Sequence, residues 1–316
     1  MVISLRQHIF SLVAVFVALA VGIAAGSTVV RGPLLDSTRA RLESAEENIA
    51  LERAENELLA AELAQLDEWA IDGPDQLISG RLPERSVLVV VAGDSDGDAV
   101  AGVLRSLRAA SASVLGEIRL DPVVFDTDEV DRVRAALGED AGGDDAAAAF
   151  GALVGQLIAS SVDTMQAGRD ERPDLVLRAS FGELEDAGLV DLLQLSTVEA
   201  GFDAIDLVVV TDRNLVDDPA RVLDGVIAVS DPDGAAVTTM VVEVGRVSQD
   251  NEVPVPSYVA AIRADGRLRD EVSTVDNAET ILGWVAMVLG LEGARLDAAH
   301  YGFREGADRS LPPGAP

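Results

Sequence analysis

The sequence predicts an α/β fold carried on an N-terminal transmembrane helix and a coiled-coil stalk, with a mainly parallel sheet covered by helices on both faces. Three observations predict it. The run from Ile9 to Val30 has no charge, the stretch between Gly32-Pro33 and Gly73-Pro74 has neither Gly nor Pro, and Val-rich runs alternate with helical segments after Pro83.

Composition limits the interior and the partners. Of 316 residues 48% are apolar but only 3% aromatic, so the core is packed from Val, Leu, Ile and Ala, which suits α/β layers. The 55 acidic and 24 basic residues give a formal charge of −31, and every basic residue is Arg. Such a chain repels nucleic acid and anionic lipid and attracts cations or basic proteins. With no Cys, disulfides and thiolate ligands are unavailable.

The first segment, 1–31, reads as the anchor. As a helix, the uncharged run rises about 33 Å, against roughly 30 Å of bilayer hydrocarbon. Arg6 lies before it and no acid occurs until Asp36, which places the N-terminus in the cytoplasm and the rest outside a cell membrane crossed once. A cleaved signal peptide is the alternative, since small residues such as Ala24 and Ala25 permit processing. Ala18, Gly22 and Gly26 are spaced by four and give the helix a small-residue face for a second copy.

Residues 34–72 read as the stalk. Leu35, Leu42, Ile49, Asn56, Leu63 and Ala70 fall at heptad position a, with Thr38, Ala45, Glu52, Leu59 and Leu66 at d. Leu35, Leu42, Ile49, Asn56, Leu59, Leu63 and Leu66 form the predicted seam of a parallel homodimer, in which paired Asn56 amides fix register. The alternative is one long amphipathic helix packed on its own domain.

Residues 84–308 read as the extracytoplasmic α/β domain. Ser86 to Ala92 (SVLVVVA), Ile205 to Thr211 (IDLVVVT) and Val237 to Val244 are strands of the kind buried on both faces. Val114 to Leu120, Leu175 to Ala179 and Glu271 to Val275 are further strands. Helices are expected at Asp98 to Ala110, Asp128 to Leu137, Phe150 to Met165, Leu184 to Ala200, Pro219 to Ile227, Pro256 to Ala264 and Ala278 to Leu291. A Gly- and Asp-rich loop fills Gly138 to Asp145, and the Pro-rich tail, 309–316, is expected to be disordered.

Little in the chain points to chemistry. The turn after the first strand, Gly93-Asp94-Ser95-Asp96-Gly97-Asp98, carries three carboxylates that repel phosphate. Asp94, Asp96 and Asp98 alternate as calcium ligands do but lack a downstream Glu, so a solvated turn with Asp98 capping the next helix is the plainer reading. The two histidines are His8, beside the apolar run, and His300. No catalytic or cofactor-binding set emerges, and the chain reads as no enzyme.

Two patches carry a resemblance. The run VISLRQHIFSLVAVFVALAVGIAAGS (Val2 to Ser27) closely resembles the start of the actinobacterial MctB-like copper-transport family. The segments EVSTVDNAETILGWVAMVL (Glu271 to Leu289) and HYGFREGA (His300 to Ala307) are similar to its C-terminal strand, helix and Tyr-Gly motif, which singles out His300, Tyr301 and Gly302. The resemblance implies a cell-envelope protein linked to copper efflux, pore-forming in an outer membrane, with copper ions as its cargo. The residues add no copper motif: Cu(I) favours sulfur and imidazole, while Met1, Met165, Met240 and Met287 are scattered. Nor do they show the serial amphipathic strands of a membrane barrel. Some relatives resemble coiled-coil partners of proteins controlling peptidoglycan hydrolases, which implies the second reading, a scaffold of cell separation that contacts envelope or septal proteins.

Overall fold

The computed structural model describes residues 5–29, 42, 49, 53, 77–93, 95–126, 133–135, 145–168, 172–198, 204–212, 218–228, 237–245, 257–293, 298–304 and 306–312. The chain divides into two compact units, Met1–Glu68 and Trp69–Pro316.

In the first unit, α1 (Leu5–Val29) is a helix of 25 residues with no acid in its first turn and no base in its last. At 1.5 Å per residue it is about 37 Å long. Its large apolar side chains from Ile9 to Ile23 are between 52% and 72% exposed and point to every side. Most of the expected stalk lies outside the described residues. Leu42 and Ile49, successive a positions, are helical and exposed at 60% and 48%.

The second unit is built on seven strands. They are β1 (Ser86–Ala92), β2 (Ser113–Leu120), β3 (Val190–Leu193), β4 (Ile205–Asp212), β5 (Thr239–Val244), β6 (Ser273–Val275) and β7 (His300–Tyr301). Their order is β3-β2-β1-β4-β5-β6-β7, and every pairing but β2 with β3 is parallel. Strands β1 and β4 sit side by side at the centre, with Val89 opposite Val208 and Val91 opposite Val210. Continuous β-branched runs suit this place, since both faces of a central parallel strand are covered.

Alternation divides the core in two. On one face Leu88, Val90, Val209 and Val241 pack with α3 (Ala146–Ala167), α4 (Pro173–Asp186), α5 (Asp218–Ile227) and α6 (Tyr258–Ala264). On the other Val87, Val89, Val208 and Val242 pack with α2 (Gly97–Ala109) and α8 (Ile281–Gly293). Helix α3 is long and apolar enough to cross a membrane, but Phe150, Val154, Ile158 and Val162 bury one of its faces in the core, as a globular helix does. A Cβ on Gly151 would lie 2.2 Å from the Val222 carbonyl oxygen, so α3 and α5 touch backbone to backbone. A bidentate pair, with Arg85 Nη2 donating to Asp206 Oδ1 at 2.8 Å, ties the starts of β1 and β4 in the interior.

Three expectations fail. Leu175 to Ala179 is not a strand but part of α4, whose Pro173 presets the first turn and whose Val176, Leu177, Phe181 and Leu184 follow the helical period into the core. The helix expected at Leu184 to Ala200 stops at Asp186; Gly188, at φ +66°, turns the chain into β3, the antiparallel edge. The tail is ordered further than expected, because Arg309 bridges Tyr301 and Leu311 packs half-buried on the α8 side. Two expectations shift. Strand β6 starts at Ser273, since Leu268–Glu271 forms a helical turn, α7, and the Asp128 to Leu137 helix shows only 133–135, Gly138 to Asp144 lying outside the described residues.

Candidate functional site

In a parallel sheet ligands collect where strands end and the connections change face, here at the C-terminal ends of β1 and β4. Gly93 turns the chain there at φ +59°, with the Phe125 ring 3.5 Å from where a Cβ would stand. Ser95 Oγ donates to the Ala92 carbonyl at 2.7 Å. The cap of α2 is Asp96, whose carboxylate accepts from the Asp98 amide at 3.0 Å, so Asp98 is an exposed first-turn residue and not the cap. Asp94 lies outside the described residues. Among the described residues no group of three or more His, Asp or Glu is placed to hold a metal.

A dense polar cluster lies toward one edge of the sheet, around β5, β6 and β7. Arg263 projects from α6 into the interior although its neighbours Val259 and Ile262 are core residues. Its Nη1 donates to Asp276 Oδ2 at 2.7 Å, its Nε to Thr274 Oγ1 at 2.8 Å and its Nη2 to the Tyr301 carbonyl at 2.7 Å. Asp276, fully buried after β6, also accepts from the amides of Phe303 at 2.8 Å and Arg304 at 3.1 Å. Gly302 closes over that carboxylate at φ +133°, where a Cβ would fall 2.1 Å from Oδ1. The Arg304 side chain returns to β5 and pairs with buried Glu243 at 3.2 Å, which in turn accepts from Ser257 Oγ, the cap of α6.

His300 completes the cluster. Its Nδ1 lies 2.9 Å from Thr274 Oγ1 and its Nε2 lies 3.0 Å from the Arg269 carbonyl. Burial and the neighbouring guanidiniums hold the imidazole below its ordinary pKa, against the opposing pull of Asp308. Nearby, burial and then the Asp224 carboxylate push the Tyr258 phenol above its ordinary value, so it stays a donor to Asp224 at 2.7 Å.

The structure thus places the C-terminal motif His300, Tyr301 and Gly302 together, as parts of a buried strap and not as an open site. Arg263, Thr274, Asp276, Glu243 and Arg304 escaped the sequence reading. One signal was present: a charged residue within the apolar helical run YVAAIRA. Of the small-residue face, Ala18, Gly22 and Gly26 all lie in α1, and a Cβ on Gly22 would meet nothing. Of the seam, Leu35, Asn56, Leu59, Leu63 and Leu66 lie outside the described residues.

As copper donors the described groups of the second unit are engaged or enclosed. Met165 is sealed in the α3 core, Met240 and Met287 are sealed in the α8 core, and both His300 nitrogens have partners. A thioether serves Cu(I) only where an ion can reach it.

Comparison with known proteins supplies what the geometry leaves unnamed. Residues 2–312 match the family described as copper transport outer membrane protein, MctB. Proteins named copper transporter MctB from Mycobacterium tuberculosis and Mycobacterium bovis are 27% identical over 96% of this chain and 98% of their own lengths. The protein of that name from Mycobacterium leprae is 26% identical over the same shares. From residue 2 to residue 312, the chain belongs to the MctB copper-transport family.

Proposed function

We propose that the protein is a single-pass, membrane-anchored envelope member of this copper-transport family, with α1 in the bilayer and its acidic head outside the cytoplasm. One observation carries the reading: α1, long enough to cross a bilayer, exposes its large apolar side chains on all sides from Ile9 to Ile23, over about 22 Å. Exposed to water, that surface is unfavourable by about 25 cal/mol per Å². Lipid accepts it without a partner. Arg6, before the uncharged run, and the acids after it favour the N-terminus inside.

The head then serves copper transport without being the conduit. Its sheet is covered on both faces, and its sulfur and imidazole groups are enclosed or bonded. A stalk dimer joined along Leu35 to Leu66 sets the distance of the head from the membrane, and the head, which we take as non-enzymatic, acts by contact with other envelope proteins. The test is a deletion strain complemented with the full chain or with a chain lacking residues 2–31. Restoration of normal cell copper by the full chain alone supports the reading, and restoration by both refutes the need for an anchor.

The engaged donors also favour a second reading, a scaffold of cell separation acting through septal proteins. A deletion strain that forms chained cells at unaltered copper content would favour it.

A further inference from the structure

We propose that His300 is a pH-sensitive latch: its neutral imidazole fastens the C-terminal strap that begins at β7 onto β6 and α7, and proton uptake at Nδ1 releases it. The hydrogen-bond partners fix the tautomer. Arg263 Nε donates to Thr274 Oγ1, so the single hydroxyl proton of Thr274 is free to go to His300 Nδ1. The Arg269 carbonyl only accepts, so Nε2 carries the ring proton. A second ring proton at Nδ1 would turn the Thr274 hydroxyl proton away from the ring, leaving that oxygen to accept from both Nδ1 and Arg263 Nε.

Burial is what chiefly opposes that proton, and two guanidiniums add to it. Arg263 reaches it from α6 and Arg269 from α7. Asp308, on the strap itself, attracts it but is engaged by Arg269 Nη2 at 2.7 Å and by the His300 amide at 3.3 Å. Asp276, after β6, is held by Arg263 and by two strap amides. The Arg269 carbonyl, like Asp308, favours the proton, and burial outweighs both, holding the imidazole below its ordinary pKa.

The strap is the element best suited to open. Strand β7 has two residues, stands outermost among the named strands and pairs with a three-residue strand. Short edge elements open at the low end of a protein's stability range. Once open, the imidazole meets water and titrates near 6.5, while the closed form titrates lower. Between those two values the open form binds one more proton, so the ratio of open to closed rises about tenfold per pH unit as pH falls. Above the upper value the latch is fully set.

The test uses the full chain in detergent micelles. The chain has two histidines, so the His300 imidazole needs to be distinguished only from His8 in nitrogen-15 spectra. Amide exchange at Gly302, which donates to the Arg309 carbonyl, and at Phe303, which donates to Asp276, reports opening after correction for the intrinsic pH dependence of exchange. The expected result is a ring bare at Nδ1 at pH 7.5, and protection that falls as pH drops below about 6.5, by at most about tenfold per unit. In His300→Gln, whose amide nitrogen donates and whose oxygen accepts but which does not titrate, the fall disappears. A proton on Nδ1 at pH 7.5, or an equal fall in wild type and His300→Gln, overturns the proposal. If that variant does not fold, the wild type decides alone, because protection that stays flat from pH 7.5 to 5 also overturns it.

Discussion

Replacing Arg263 by Leu is the sharpest probe of the head's interior. The change leaves Asp276 fully buried with two amide donors and no counter-charge, and it strips a donor each from Thr274 and the Tyr301 carbonyl. Removing one member of a buried pair costs about 3–5 kcal/mol, because the other charge stays behind without compensation. Total stability is about 5–15 kcal/mol, so about a fifth or more of it is at stake. With a urea slope near 2 kcal/mol per molar, the midpoint falls by about 1.5–2.5 M. Urea unfolding followed by Trp284 fluorescence reads this directly, since that indole is anchored to the Ala278 carbonyl at 2.8 Å. Adding Asp276→Asn to Arg263→Leu should recover part of the loss by removing the stranded charge. A midpoint shift under about 0.5 M for the single variant would refute the reasoning, by showing that water reaches the carboxylate.

Three further predictions test the packing and the anchor. Gly151→Ala pushes a methyl against the Val222 backbone and should cost about 1–3 kcal/mol by parting α3 from α5, read as a lower urea midpoint at constant slope. Gly102→Ala sets a Cβ 2.4 Å from the Trp284 ring, so the indole must leave its place; its emission should shift to the red, with a similar loss of stability. Leu19→Arg puts a charge near the middle of α1, where insertion scales give a penalty of about 2.5–3.5 kcal/mol, and should shift protein from the membrane to the soluble fraction in sedimentation.

The central strands were legible because continuous β-branched runs such as SVLVVVA and IDLVVVT have few other places in an α/β fold. Local signals failed where a short apolar run had two meanings. Leu175 to Ala179 satisfies a strand pattern, and only Pro173 and the recurrence at Phe181 and Leu184 show the helix. The turn at Asp96 was misread by two residues, because either carboxylate can cap. The buried cluster was the least legible, since Arg263 finds Asp276 13 residues away and Tyr301 38 residues away, separations that carry no local periodicity. Resemblance singled out His300, Tyr301 and Gly302 without showing that they strap the sheet edge together.

The anchor topology is tested most directly by single-cysteine labelling, which this chain favours because it has no Cys of its own. Phe303→Cys, at a position 66% exposed, and Val2→Cys each give one thiol for a membrane-impermeant maleimide applied to intact spheroplasts. Labelling at 303 before lysis and at 2 only after it is the outcome expected of a head held outside by α1. Labelling at 303 only after lysis would put the head in the cytoplasm and contradict the anchored envelope role.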